Sequence, residues 1–239
     1  MRTVDDFPAT GNSGASSLAP VALTSPIDGL ALWFVTLSAD DGEFARAAAW
    51  LSPAEHARAA RFGREHLRRR YIVGRASLRW TLGRTLSMPP AAVPIVRGER
   101  GRPRLDGIGE LDFNISHTDD AALIGIARDG RIGVDIERDD REVNADGLAR
   151  KFLTPAEQAT LTALAADERR VRFLRYWTCK EAMSKATGDG LAAPFREIEV
   201  TLDNGIELVA GHAPYDPPRW RLLEAAAPEG FIATVALRS

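Results

Sequence analysis

Asp135 and Glu137 stand two apart in the short apolar run Ile132-Gly133-Val134-Asp135-Ile136-Glu137. In a strand successive side chains point to opposite faces, so both carboxylates project from one face and Val134 and Ile136 from the other. Two like charges so placed repel. A fold keeps them where a cation answers, commonly a divalent metal, or where the face is wet. About forty residues later, Trp177, Glu181 and Lys185 follow i, i+4, i+8 and share one side of a helix. We expect the two stretches to meet. Three carboxylates would then make an oxygen-rich site suited to Mg²⁺, which keeps several waters and shares its shell with substrate phosphates. No cysteine or histidine cluster accompanies them, so zinc does not fit. Lys185 and arginines from elsewhere would neutralise a polyphosphate, and phosphoryl-type transfer needs such positioning more than covalent chemistry. Taken singly, the same residues also describe a surface i, i+4 pair and a wet strand face.

Other stretches could bind anions. Arg58, Arg61, Arg64, Arg68, Arg69, Arg70, Arg75, Arg79 and Arg84 face the single acid Glu65 in that segment, which should attract negative charge or else form a solvated helix face. The loop Arg97 to Pro103 sets glycines among three arginines, a pattern that holds phosphate or makes a charged surface turn. Asp112 to His117 reads as a strand ending in the polar pair Ser116 and His117. Only Lys151, Lys180 and Lys185 are lysine, against 28 arginines. Lysines on both sides of Glu181 therefore point to a compact ammonium where a planar fork would not serve.

The elements that must hold these groups are legible. Residues 1–29 mix Gly, Ser, Pro, Thr and Ala without periodicity and read as a disordered leader. Leu30 to Leu37 is a buried strand. Ser52-Pro53-Ala54-Glu55 opens a capped helix that runs, with a break near Gly63, to about Leu86. Asp129-Gly130 signals a hairpin with the two acids on its second arm. Leu153-Thr154-Pro155-Ala156-Glu157-Gln158-Ala159 repeats the Leu51 to Ala57 pattern at an offset of 102 residues, and Tyr71 to Ala76 aligns with Trp177 to Ala182 at 106. The last strands, 197–202, 206–209, 219–224 and 231–237, would complete a second sheet. The fold class is thus α+β in two similar lobes, 30–128 and 129–239. One cysteine, Cys179, precludes an internal disulfide and points to a reducing, cytoplasmic home. No apolar run is long enough for a membrane, the net charge of −2 hides an uneven distribution, and no nucleic-acid partner is expected.

Gly133-Val134-Asp135 with Glu137, then Trp177, Lys180-Glu181-Ala182 and Lys185, resembles the signature of the surfactin-type, two-lobed 4′-phosphopantetheinyl transferases. The resemblance extends from about Leu51 to Leu191 through Arg58, Arg61-Phe62, Gly101-Arg102-Pro103 and Phe113 to His117. It implies a pseudo-twofold pair of lobes in a monomer, with the site in the cleft between them. The implied activity moves phosphopantetheine from coenzyme A to a serine of an apo acyl or peptidyl carrier protein, releasing adenosine 3′,5′-bisphosphate. Asp135, Glu137 and Glu181 would hold Mg²⁺, Lys185 would bind the pyrophosphate and assist the leaving group, and Glu181 is a general-base candidate. Arg58, Arg100, Gly101, Arg102, Ser116 and His117 would contact coenzyme A, His117 with a raised pKa beside phosphate. Lys151, Lys180 and first-lobe arginines would steer an acidic carrier. The chain departs from the family twice: Glu55 stands where several relatives carry a basic residue, and Arg102 stands in for a more usual lysine, which a bidentate arginine can replace. A Mg²⁺-dependent nucleotide hydrolase and a non-catalytic coenzyme A- or carrier-binding regulator are the rival classes.

Overall fold

The computed structural model describes residues 19–98 and 100–239. After β1 (Val21–Leu23), the first half runs β2 (Leu30–Thr36), α1 (Asp41–Ala48), α2 (Pro53–Ala59), α3 (Glu65–Leu86), β3 (Ile95–Arg97), β4 (Pro103–Leu105), β5 (Asp112–Thr118) and β6 (Ala121–Ala127). The second half has the same order: β7 (Arg131–Arg138), α4 (Ala145–Phe152), α5 (Pro155–Thr162), α6 (Ala166–Thr187), β8 (Glu199–Thr201), β9 (Glu207–Ala210), β10 (Trp220–Glu224) and β11 (Phe231–Arg238). One antiparallel sheet has the order β1-β2-β6-β5 and another β10-β11-β7, so the strands after β1 also correspond in space. β3-β4 and β8-β9 are separate two-stranded ribbons.

Three expectations need correction. β1 pairs with β2 inside the stretch read as a structureless leader, of which residues 1–18 lie outside the described residues. Among the described residues β8 and β9 pair only with each other and do not extend the second sheet. The hairpin is β5-β6, turning at Asp119-Asp120, not β6-β7: β7 takes its backbone partners from β11, and Asp129-Gly130 turns the chain between sheets. The other edge of β7 is covered by side chains. Asp112 and Asn114 of β5 accept from the N–H groups of Ile132 (2.8 Å) and Val134 (3.0 Å), so this edge is satisfied without a neighbouring strand.

Each half buries its own apolar core. A third core lies where the sheets meet, with Leu32 and Leu123 against Ile132, Val134 and Ile136. Both short helices α2 and α5 begin with a capping box, Ser52 with Glu55 and Thr154 with Glu157. Each acid also receives a buried cation from the following 22-residue helix: Arg79 Nε reaches Glu55 at 2.6 Å and Lys180 Nζ reaches Glu157 at 2.7 Å. Those paired cations set the long helices in correspondence at an offset of 101 residues, which corrects the 106-residue match. They also show what Lys180 does. It is fully buried and donates to the carbonyls of Phe195 and Ile198 (both 2.7 Å), so it meets neither phosphate nor carrier.

Candidate active site

Gly133 lets α6 lie directly on β7. A Cβ there would overlap the Ala182 carbonyl and stand 2.7 Å from Ala186 N. This approach brings Lys185 to Asp135, Nζ to Oδ1 at 2.5 Å. Ser116 of β5 completes the group, donating to Asp135 Oδ1 and accepting from Lys185 Nζ, both at 2.7 Å. Val134 and Ile136 point into the core while Asp135 and Glu137 face the site, as strand alternation requires. Glu137 accepts from Thr118 (3.3 Å) and pairs with Arg141.

The acids feel one another. Burial raises the Glu181 pKa; Lys185 pulls it down, and Asp135 and Glu137 push it up. Glu137 is raised by burial and then by Asp135, against Arg141, the Thr118 hydrogen bond and Lys185. Asp135 Oδ2 and Glu181 Oε1 are buried and, among the described residues, lack a hydrogen-bond partner. Two orphaned carboxylate oxygens among mutually repelling acids match the donor chemistry of a hard divalent cation. The grip is not closed: among the described residues no three His, Cys, Asp or Glu side chains converge tightly enough to hold an ion. Lys185 and Arg141 occupy carboxylate oxygens there instead.

A pH effect follows from Glu181. Its folded-state pKa lies above the ordinary 4.5, so the folded chain holds its proton more tightly than the unfolded chain does. The group's stabilising contribution is full below pH 4.5 and is lost as pH rises through the elevated value. Thermal unfolding of metal-free protein should therefore show a smaller loss in Tm between pH 4.5 and 8 for Glu181→Gln than for the unsubstituted chain. Parallel curves would contradict the shift.

Beyond the acids lies a basic cleft of about 520 Å³, lined by Arg58, Phe62, Arg70, Tyr71, Arg75 and His117 among others. A second cleft of about 600 Å³ shares Arg58, Tyr71, Arg75 and Arg97 with it. Arg58 sits over the Tyr71 ring, 5.8 Å from its centroid. Gly74 makes room for His117, since a Cβ there would come within 2.9 Å of Nε2. Solvent reaches the His117 ring through the cleft, yet the surrounding protein, then Lys185 and Arg75, lower its pKa to about 4. In the ligand-free chain burial comes first and the cations Lys185 and Arg75 second in disfavouring the charged ring; the raised value is expected only beside a bound phosphate. Glu55 does not oppose anions in the cleft: its carboxylate is held by Ser52 N–H, Arg75 and Arg79, which keep its pKa low despite burial.

The structure brings Ser116, Asp135 and Lys185 into contact, sets Glu137 and Glu181 within electrostatic reach of Asp135, and places Arg58 and His117 in the adjoining cleft. Arg102 is corrected: its side chain is 9% exposed and its guanidinium is engaged by Asp112 and by the carbonyls of Lys185, Phe113 and Ile132. Gly101 is corrected too, because its N–H donates to Gly98 O (2.9 Å) and that of Gly98 to Arg102 O (2.8 Å), leaving neither for phosphate. Arg100 pairs with Asp189 and does not line the basic cleft. Arg70 and Arg75, named only as part of an arginine run, and Tyr71, not singled out, line it instead. Their signal was spacing: Arg70 and Arg75 flank Tyr71 and Gly74 on the stretch of α3 that faces His117.

Two sequence profiles match the chain. That of the 4′-phosphopantetheinyl transferase superfamily covers residues 131–236, and that described as 4′-phosphopantetheinyl transferase, N-terminal, covers residues 37–128. The chain is 37% identical over 227 residues to the 4′-phosphopantetheinyl transferase HetI of Nostoc sp. (strain PCC 7120), covering 91% of each chain. It is 30% identical over 209 residues to the 4′-phosphopantetheinyl transferase of Bacillus subtilis, covering 83% of this chain and 92% of that one. To AcpT of Escherichia coli strain K12 it is 35% identical over 121 residues, 51% of this chain and 58% of the relative. With likeness across both halves and the acid cluster set between them, this chain belongs to the 4′-phosphopantetheinyl transferase superfamily.

Proposed function

We propose that this transferase moves 4′-phosphopantetheine from coenzyme A to a serine of an apo carrier protein and releases adenosine 3′,5′-bisphosphate. The observation that carries this reading is the meeting of Asp135, Glu181, Lys185 and Ser116 beside an arginine-lined cleft. Arg58, Arg70 and Arg75 bind the phosphate-bearing nucleoside end of coenzyme A, and His117 becomes a donor as the bound anion offsets its cationic neighbours. Lys185 exchanges Asp135 for the pyrophosphate and stabilises charge on the leaving oxygen. Glu181 is the general-base candidate for the carrier serine, directly or through water, by a carboxylate oxygen that the ion does not engage. The serine oxygen forms a bond to the phosphorus bearing pantetheine as the bond to the leaving phosphate breaks. Asp135, Glu137 and Glu181 would hold Mg²⁺, which when bound supplies positive charge to the pyrophosphate. All these groups come from one chain, so a monomer suffices. Among the described residues no helix is long and apolar enough to cross a membrane.

The test is to incubate the chain with coenzyme A, Mg²⁺ and an apo acyl or peptidyl carrier and weigh the carrier. Gain of one phosphopantetheine supports the transferase. Cleaved coenzyme A beside an unchanged carrier makes it a nucleotide hydrolase, and binding without turnover makes it a regulator. Arg70→Ala should raise the KM for coenzyme A about tenfold or more with kcat nearly unchanged, as expected for loss of a charged hydrogen bond made equally in ground and transition states. An unaltered KM would remove Arg70 from the site.

A further inference from the structure

We propose that Arg102 is a positioning residue, a single guanidinium that joins the two halves and sets where Lys185 and Asp135 stand. This role rests on the transferase reading for what those two residues do, and on the contacts of Arg102 for how they are placed. Arg102 lies between Gly101, at φ +79°, and Pro103, the first residue of β4. Its two terminal nitrogens grip the Asp112 carboxylate at 2.8 and 2.7 Å. One of them also reaches Ile132 O of β7 at 2.6 Å and Phe113 O at 3.2 Å, while Nε donates to Lys185 O at 2.8 Å.

Those partners sit on the three elements that carry the site. On β5, Asp112, Asn114 and Ser116 share the face turned to β7, where they meet Ile132 N–H, Val134 N–H and the Asp135 carboxylate in turn. On β7, Ile132 is three residues before Asp135. On α6, the bond is to the backbone of Lys185 itself. That carbonyl belongs to the last turn, where intrahelical donors run out, and the N–H groups of Gly188 and Asp189 both go to Ser184 O. Arg102 therefore caps α6 from the other half of the molecule, with its charge favourably placed at a helix C-terminus. The stem passes Gly188, whose added Cβ would lie 3.7 Å from Arg102 Cδ. A lysine could keep the charge, but a point ammonium cannot hold a carboxylate by two parallel bonds and three carbonyls as well.

The test uses the full chain carrying Arg102→Lys or Asp112→Asn, with kcat and KM for coenzyme A, calorimetric binding of coenzyme A without carrier, and Tm. Arg102→Lys should lose about 10- to 100-fold in kcat, the cost of a small misplacement of reacting groups. Its KM and calorimetric Kd for coenzyme A should stay within about threefold, and Asp112→Asn should follow the same direction. A Kd weakened tenfold with kcat held would make Arg102 a ligand contact and overturn the assignment, as would an unchanged kcat. If Arg102→Lys does not fold, Asp112→Asn decides; if neither folds, the residue is a fold determinant only and the assignment fails. A parent chain that modifies no carrier fails the transferase reading instead. Arg102 is then judged by labelling of Lys185 with an acylating reagent: faster in Arg102→Lys if the Lys185–Asp135 pair is released, equal if Arg102 has no such role.

Discussion

Asp135→Asn should leave a folded protein whose kcat/KM for carrier modification is at least about 10³ lower, or about 4 kcal/mol of transition-state stabilisation. Asp135 is where the site's interactions cross: Oδ1 accepts from Ser116 and Lys185, and Oδ2 is buried without a partner among the described residues. An asparagine keeps one acceptor but removes the charge that holds Lys185 and would turn an amide donor toward an ammonium or an ion. Stability should change little, because the loss of the Lys185 pair is offset by relief of the repulsion that Asp135 exerts on Glu137 and Glu181. Rates from carrier mass, with circular dichroism as the check on folding, measure this. Activity within tenfold of the parent would place the chemistry elsewhere.

Among the described glycines, Gly133 should be the one where an added methyl, in Gly133→Ala, does most damage. The added carbon would overlap the Ala182 carbonyl and crowd Ala186 N, both backbone atoms of α6, so no side chain can rotate to relieve it. The helix must move or β7 must bend, and β7 is held on one side by β11 and on the other by Asp112 and Asn114. Overpacking against backbone should cost about 3 kcal/mol or more, lowering Tm by roughly 6–12 °C for a chain of this size. Transfer should fall further than stability does, because Glu181 and Lys185 ride on the displaced helix. A Tm within about 2 °C of the parent would contradict this packing.

The residues that announced themselves in the sequence did so through local chemistry. Ser52 with Glu55 and Thr154 with Glu157 form the capping boxes their spacing requires, and the alternation in 132–137 sends Asp135 and Glu137 to one face. What stayed hidden depends on partners far along the chain. Lys180 resembles a surface cation until Glu157 is found beside it in the core, and Arg102 resembles a phosphate ligand until Asp112 and three carbonyls are found around it. The Asp129-Gly130 turn is a genuine turn, but turn chemistry cannot say which strand β7 pairs with, and the choice of β11 is made about a hundred residues away. His117 lines the basic cleft, yet its proton affinity depends on burial first and then on Lys185 and Arg75, from two different helices.

The proposed transfer requires acids from β7 and α6 to grip one ion together. Calorimetric titration of Mg²⁺ into the chain with coenzyme A present tests it most directly, using the parent, Asp135→Asn and Glu181→Gln. One equivalent per chain, weakened about 10- to 100-fold or more in both variants, is the predicted result. Binding of one equivalent that survives Glu181→Gln unchanged would show that the helix carboxylate takes no part, and the shared ion site would fall.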